Sequence, residues 1–375
     1  MGKLYVVCGE YQPNSAPHNR LVSFLNVFEE RGIESELIFL FPNRNNTKPS
    51  FLYKHIKVTY AYECSVFLSN RVIAKLFTWV IAKQLANKLT IEDKVFVYSG
   101  GIIIKRLKHN SDARVFYEMT EHPDVMKWRI PIQKKIYLEG CRCVDGLFVI
   151  STALKDYFIE IGVPEEKITI VNMTVDPSRF KDVQKEKVER EYIAYCGAAS
   201  NNKDGVNKLI EAFARVAQKY KNINLYIIGK APAASDDEGN QKLVERLGLV
   251  DRVVFTGVVS ATEMPRILTN AAVLALARPD NLQAKNGFPT KLGEYLLTGN
   301  PVVVTNVGDI PLFLKDGESA LMSDPNNVEE FADKLSWALE HPDSAALIGL
   351  KGREVALQNF NSDRETQKII SAIFK

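Results

Sequence analysis

The chain predicts an α/β protein built of two doubly wound parallel-sheet domains. Three observations lead there. Short apolar runs alternate with helical patterns from end to end, about six times in each half, as parallel sheets covered on both faces by helices require. The 375 residues exceed what one hydrophobic core usually holds and suit two domains of roughly 170 residues each. Between the halves lies Lys181 to Arg190, KDVQKEKVER, a charged stretch with little to bury. The expected division is a first Rossmann-like domain over 1–180 and a second over 191–362, facing each other across a cleft at the carboxyl ends of both sets of strands.

In the first half, strands are expected at Leu4 to Cys8, Leu37 to Leu40, Val95 to Tyr98, Val115 to Tyr117, Leu147 to Ile150 and Ile168 to Val171. In the second they are expected at Ile193 to Tyr195, Leu225 to Ile228, Val253 to Phe255, Val273 to Ala277, Val302 to Val304 and Ala320 to Met322. Asp363 to Phe374 has helical spacing beyond the last of these. Arg71 to Leu89 places Val72, Leu76, Phe77, Val80 and Ile81 on one helical face with lysines elsewhere, a pattern that suits packing on a sheet and also suits an anionic membrane surface.

Composition excludes several classes of function. Hydrophobic residues make up 46% and charged residues 25%, ordinary values for a folded enzyme. Forty-eight basic against 45 acidic residues leave a formal charge of +3, too little for a nucleic-acid platform. Five cysteines, Cys8, Cys64, Cys141, Cys143 and Cys196, form no disulfide framework and no zinc-ligand pair, which points to a reducing, cytoplasmic setting. No run reaches the roughly 20 apolar residues of a membrane span. Asp236-Asp237-Glu238 reads as a solvated charged loop between helices, and no metal site is expected.

The most informative stretch is 286–305, NGFPTKLGEYLLTGNPVVVT. Gly287 to Pro289 is a turn that leads into helical spacing. Gly299 stops that helix, Asn300-Pro301 forbids its continuation, and Val302 to Val304 is a buried strand. A helix N-terminus offers unpaired N–H groups and partial positive charge, which suits a phosphate. Glu294, about two turns into the helix, has a carboxylate able to accept hydrogen bonds from sugar hydroxyls. Lys291 reads either as a phosphate contact or as a surface lysine at a helix start.

This stretch resembles the retaining glycosyltransferases of family 4, which have the two-domain GT-B fold and an E-G-F-G-x-x-x-x-E pattern. The second acidic position is matched by Glu294; the first is Asn286, an amide without charge. The resemblance implies that Glu294 binds the ribose of a nucleoside diphosphate sugar, and that backbone at Gly287, Phe288 and Pro289 faces the donor sugar and diphosphate. It covers nearly the whole chain and is weakest in residues 41–90. Tyr192 to Phe213 is similar to the family's diphosphate loop: Gly197, Ala198 and Lys203 correspond, with Ala198 where arginine is frequent and Asp204 inserted before Gly205. Lys203 in isolation reads equally as an exposed loop lysine. Phe255-Thr256-Gly257-Val258 resembles the segment beside the nucleobase, and Arg278 opens the loop toward Asn286, as a phosphate ligand or a surface residue. The resemblance also implies that the terminal helix, 363–375, packs back on the first domain.

In the first half, Tyr117 to Val125 gathers Glu121 and His122 in a loop after a strand, and the resemblance places such residues against the donor sugar. Gly9 and His18 lie in the loop after the first strand, which the resemblance implies borders the acceptor and the diphosphate; a fold-shaping loop is the equal alternative. The implied reaction moves a hexosyl unit to an acceptor hydroxyl with retention, with Lys203, His122, Glu121 and Asn286 as the catalytic set and without a required cofactor or metal. The acceptor is expected to be a saccharide or lipid-linked saccharide of cell-surface polysaccharide or lipopolysaccharide synthesis, at the inner face of the membrane, with no nucleic-acid partner. Two other readings stay open: a GT-B sugar-nucleotide epimerase, and a catalytically weak sugar-nucleotide-binding protein, the latter because of Asn286.

Overall fold

The computed structural model describes residues 2–10, 16–41, 50–53, 56–60, 78–128, 131–231 and 233–375. The chain forms two compact units, Met1–Asn172 with Ser362–Lys375, and Met173–Asn361. Residues 173–180 thus belong to the second unit.

In the first unit the strands are β1 (Leu4–Glu10), β2 (Ser35–Phe41), β3 (Ser50–Tyr53), β4 (Ile56–Tyr60), β5 (Lys94–Val97), β6 (Arg114–Met119), β7 (Gly146–Val149) and β8 (Ile168–Ile170). They form one sheet in the order β3-β4-β2-β1-β5-β6-β7-β8, parallel except where β3 meets β4. β3 and β4 lie outside the six expected strands, in the region of weakest resemblance. Strands buried on both faces carry continuous apolar runs, and Val95, Phe96 and Val97 are fully buried accordingly. Phe96 and Phe148 meet edge to face at 5.5 Å within the core.

The helix Ser362–Ile373 closes this unit. Ile369 and Ile373 share the core cluster of Leu4, Phe39 and Phe116, and the Glu365 carboxylate accepts the Asn172 N–H at 2.6 Å. A second tie is ionic. Arg20, on the helix Ala16–Glu30, donates from Nε (3.0 Å) and Nη2 (2.7 Å) to Oε1 of Glu118 at the end of β6. The same guanidinium reaches the carbonyls of Val171 and Asn172 at 3.0 and 2.6 Å. Both side chains are under 5% exposed. Of the amphipathic segment 71–89, residues 71–77 lie outside the described residues; the helix Thr78–Ala86 buries Ala82, Leu85 and Ala86 and packs on the helix Ile104–Asn110. No helix among the described residues is long and apolar enough to cross a membrane.

In the second unit the strands are β9 (Glu191–Cys196), β10 (Ile223–Ile228), β11 (Val253–Gly257), β12 (Val273–Leu276), β13 (Val302–Thr305) and β14 (Leu321–Ser323). The sheet runs β11-β10-β9-β12-β13-β14, parallel throughout. Counted within the unit that is 3-2-1-4-5-6, the dinucleotide-binding order with its reversal between β9 and β12.

Two expectations are corrected here. The charged stretch 181–190 is fastened to the second unit: the Glu186 N–H donates to Asn270 Oδ1 at 2.8 Å, its carboxylate pairs with Arg266, and Lys185 reaches Asn300. Asp236, Asp237 and Glu238 are not a loop but open the helix Ala234–Arg246, where carboxylates complement the partial positive charge of the N-terminus.

Truncating Arg20 to alanine would leave the Glu118 carboxylate buried without a cation. Arg20→Ala is expected to cost about 3–5 kcal/mol in chemical denaturation, and Arg20→Met with Glu118→Met to recover much of it.

Candidate functional site

The reversal between β9 and β12 brings together the loops after β9 and β12, and glycines let three backbone segments cross there. The Gly197 N–H donates to the Ile228 carbonyl at 2.8 Å. Gly229, with φ 121°, lies so close that a Cβ on it would be 2.0 Å from the Gly197 carbonyl oxygen. At Gly205, φ is 65° and a Cβ would be 1.9 Å from the Ala277 oxygen. Neither position accepts a side chain without moving the backbone.

Beneath this crossing is a buried ion pair. The helix Thr290–Leu297 carries Lys291, whose ammonium pairs with Asp204, donates to the Tyr195 hydroxyl at 3.1 Å and sits 4.8 Å over the Tyr195 ring. The side chains are 16% and 2% exposed for Lys291 and Asp204. A Cβ on Gly197 would collide with the Lys291 ammonium, so that glycine also makes room for the lysine. The Tyr195 hydroxyl lies 2.7 Å from both the Ala198 carbonyl and Asp204, tying the loop to the pair. Burial alone would raise the Asp204 carboxyl, but the Lys291 charge and the hydrogen bonds outweigh it and hold the group below the usual carboxylate range. Lys291 is therefore neither a surface lysine nor a free phosphate ligand: its charge is spent on Asp204. One turn on, the Tyr295 hydroxyl accepts from the Cys196 N–H at 2.5 Å and donates to the Cys196 carbonyl at 3.0 Å. Positions 291 and 295 share one helix face, so the helix is fastened twice to the end of β9.

Glu294 lies just over one turn into that helix, which begins at Thr290, rather than two. Its Oε1 pairs with Arg179 of the turn Pro177–Phe180. Arg179 also reaches the Ala261 carbonyl at 3.3 Å, and Asp176 caps its turn by accepting the Ser178 N–H at 2.9 Å. Burial pushes the Glu294 carboxyl up, and Arg179 works against it. The neighbouring Cys196 thiol is pushed up to about 12, by burial first and by Glu294 next.

The other expected donor-side residues divide between backbone and packing. Ala198 is exposed in the loop, and Lys203 lies not in a loop but in the short helix Asn201–Asp204, its N–H accepted by Ser200 Oγ at 3.2 Å. Arg278, 1% exposed, is no surface residue; its Nη1 stands 3.5 Å from the Gly287 carbonyl. Asn286 ends a short helix, Leu282–Asn286, instead of lying in an open loop; it is 8% exposed and its amide donates to the Leu282 carbonyl at 2.9 Å. The Phe288 ring packs between Phe313 and Phe360, at 5.6 and 5.4 Å, leaving backbone for any ligand. Pro289 is the N-cap of the following helix and supplies no side-chain hydrogen bond to it. Gly257 has φ 68° with open space around it, and Val258 is 80% exposed. Asn281, which the sequence left without a role, joins the two loops by donating to the Asn202 carbonyl at 2.7 Å.

Gly9, His18, Glu121 and His122 belong to the first unit. The Gly9 N–H donates to Ser99 Oγ at 2.8 Å, across the strand reversal between β1 and β5. His18 is half-buried on the helix Ala16–Glu30, and burial lowers its pKa. His122 is 5% exposed, its ring tilted against that of Tyr157 with centroids 4.2 Å apart; its Nδ1 accepts the Asp124 N–H at 3.1 Å, so the neutral ring carries its proton on Nε2. Burial lowers its pKa as well. Glu121 is half-buried beside it. Among the described residues no group of three or more His, Cys, Asp or Glu suits a metal ion.

Arg179, Asp204, Tyr195 and Tyr295 were missed from sequence. The Asp204–Lys291 signal was present only as two opposite charges in separately recognised motifs.

Two doubly wound units, the second in dinucleotide-binding order with its loops gathered at the strand reversal, give the two-domain architecture of the GT-B fold. Residues 190–341 match the family described as glycosyl transferases group 1, so this part of the chain carries a domain of that family. It is 26% identical to the MMP alpha-(1->4)-mannosyltransferase of Mycolicibacterium hassiacum, over 76% of this chain and 71% of that one. It is 29% identical to a GDP-mannose-dependent alpha-(1-6)-phosphatidylinositol monomannoside mannosyltransferase of Mycolicibacterium smegmatis, over 74% and 75%. Across such relatives it spans between 52% and 75% of their length. Among solved structures, Anabaena HepE in complex with UDP superimposes with a TM-score of 0.78 over 99% of each chain at 17% identity, which shows the shared fold.

Asp204→Asn is expected to cost about 3–5 kcal/mol at pH 7, because Lys291 is left buried and unpaired. A carboxyl held low in the folded state contributes above its unfolded pKa, about 4, and loses that contribution as pH falls through the folded value. The gap between wild type and variant in denaturation midpoints is therefore expected to narrow below about pH 4.

Proposed function

We propose that the chain transfers a hexosyl unit from a nucleoside diphosphate sugar to an acceptor hydroxyl with retention of the anomeric configuration. The observation that carries this is Glu294: a largely buried carboxylate, held by Arg179, on the helix whose N-terminus opens at the strand reversal of the dinucleotide-binding sheet. A carboxylate there accepts ribose hydroxyls, and the first N–H groups of the helix meet the diphosphate.

The chemistry asked of the site is leaving-group stabilisation. The bond between the anomeric carbon and the phosphate oxygen breaks, the acceptor oxygen bonds to the same face of that carbon, and its proton passes to the departing phosphate oxygen. Lys203, the N–H groups of Thr290 and Lys291, and the positive surroundings of Arg278 meet the charge that develops on the diphosphate. Ala198 supplies none, and Lys291 is neutralised by Asp204. Asn286 serves the donor sugar. Gly257 and Val258 offer an open surface to the base. No cofactor or metal enters this reading.

The acceptor is a saccharide or a lipid-linked saccharide of the cell surface, met at the inner face of the membrane; the relative that acts on a phosphatidylinositol monomannoside supports that class. Turnover separates this reading from the alternatives: nucleoside diphosphate appears only with acceptor for a transferase, the sugar changes without acceptor for an epimerase, and ligand binds without turnover for a binding protein.

Glu294→Ala is expected to weaken UDP or GDP binding by roughly 10- to 100-fold in calorimetry, the worth of hydrogen bonds to a charged group. Circular dichroism should stay unchanged, and undiminished nucleotide affinity would count against the assignment.

A further inference from the structure

Arg179 reaches Glu294 from outside every motif used above, and its placement is constructed. Phe180, 6% exposed, anchors the turn in the core, while Asp176 caps it from the other side by accepting from both the Ser178 N–H and its hydroxyl, at 2.9 and 2.6 Å. The guanidinium is then held at two points, Glu294 Oε1 and the Ala261 carbonyl. It engages one carboxylate oxygen only; Oε2 carries no protein hydrogen bond among the described residues. The Glu294 side chain is 26% exposed, so it is open to a ligand on one side.

Resting on the donor-binding reading above, we propose that Arg179 is a positioning residue for the nucleotide. It fixes the Glu294 carboxylate by one oxygen, keeps it ionised, and presents the other oxygen to the vicinal hydroxyls of the ribose. Among the described residues, the charged and titratable groups that face Glu294 leave no other cation for this task. Cys196, at the end of β9, has its thiol pushed up to about 12 and is neutral. Tyr295, on the same helix, is raised far above the ordinary phenol value by burial and is neutral too. The Lys291 ammonium is engaged by Asp204. Without Arg179, a carboxyl that burial already pushes upward loses the group that opposes the shift. A protonated Glu294 would give up acceptor capacity for a hydroxyl proton of its own, and ribose hydroxyls would lose their partner.

The experiment is calorimetric titration with UDP and with GDP from pH 5.5 to 8.5, on wild type, Arg179→Gln, Arg179→Lys and Glu294→Gln. Arg179→Gln is expected to approach wild-type affinity at the alkaline end and to lose it on acidification, with the onset moved upward by about one pH unit or more. Arg179→Lys should return the onset toward wild type, and Glu294→Gln should bind weakly at every pH. A profile for Arg179→Gln that tracks wild type throughout, or tighter binding through release of Glu294, overturns the role of Arg179 alone. Glu294→Gln binding as well as wild type, or wild type binding neither nucleotide, overturns the donor reading and this inference with it. Should Arg179→Gln not fold by circular dichroism, Arg179→Met is read in its place against the same two outcomes.

Discussion

The pairing of Lys291 with Asp204 beneath the strand reversal is the interaction on which the rest of the second unit's site depends. Two charges in an interior are costly to desolvate, and such a pair repays that only with close geometry and further hydrogen bonds. Here Tyr195 supplies one, and the Ala198 carbonyl joins through the same hydroxyl. The pair thereby fixes three things at once: the loop after β9, the short helix ending at Asp204, and the first turn of the helix Thr290–Leu297. The glycines at 197, 205 and 229 follow as consequences. Side chains there would occupy the space in which the lysine and the crossing backbones meet.

Under the proposed function, a site arranged in this way would handle phosphate charge differently from one that lines the pocket with cations. Ala198 stands where the resembling family often has arginine, and the charge of Lys291 is matched by Asp204. Under the proposed function, what meets the diphosphate besides Lys203 and Arg278 is oriented dipole: the N-terminus of an eight-residue helix held at 291 and 295. Dipoles fixed in advance need no reorganisation when the leaving group departs, which is their catalytic advantage. The helix is useful in that role only if it cannot shift, and the two attachments to β9 supply the rigidity.

Much of this was legible in sequence because it follows from local pattern. All twelve expected strands appear within a few residues of their predicted ends, since buried parallel strands are continuous apolar runs and need no partner to be recognised. The helix carrying Glu294 was equally local, bounded by Pro289 and by Gly299 with φ 75°. Long-range pairing was not legible. Asp204 and Lys291 are 87 positions apart and Arg179 and Glu294 are 115 apart, and no periodicity within either segment reports the other. Asp204 looked like an insertion, and Lys291 like a phosphate contact or a surface residue, for the same reason. The charged stretch 181–190 misled in the opposite direction: high charge suggested solvent and freedom, whereas its backbone and side chains are hydrogen-bonded to the second unit.

As the proposed ribose acceptor, Glu294 shows why an acid chosen by motif would be only half of a binding group. A carboxylate shielded from water and left alone tends to take up a proton, and a protonated acid is a poorer acceptor for sugar hydroxyls. Exposing it fully would keep it charged but would leave water competing for every hydrogen bond. Pairing with a guanidinium through one oxygen answers both demands, because the charge is retained while part of the group stays accessible. Arg179 can do this only because its turn is pinned by Phe180 and Asp176. The ionic partner of the helix acid is thus set by the folding of the first few residues of the second unit, well before the sheet that supports the site begins.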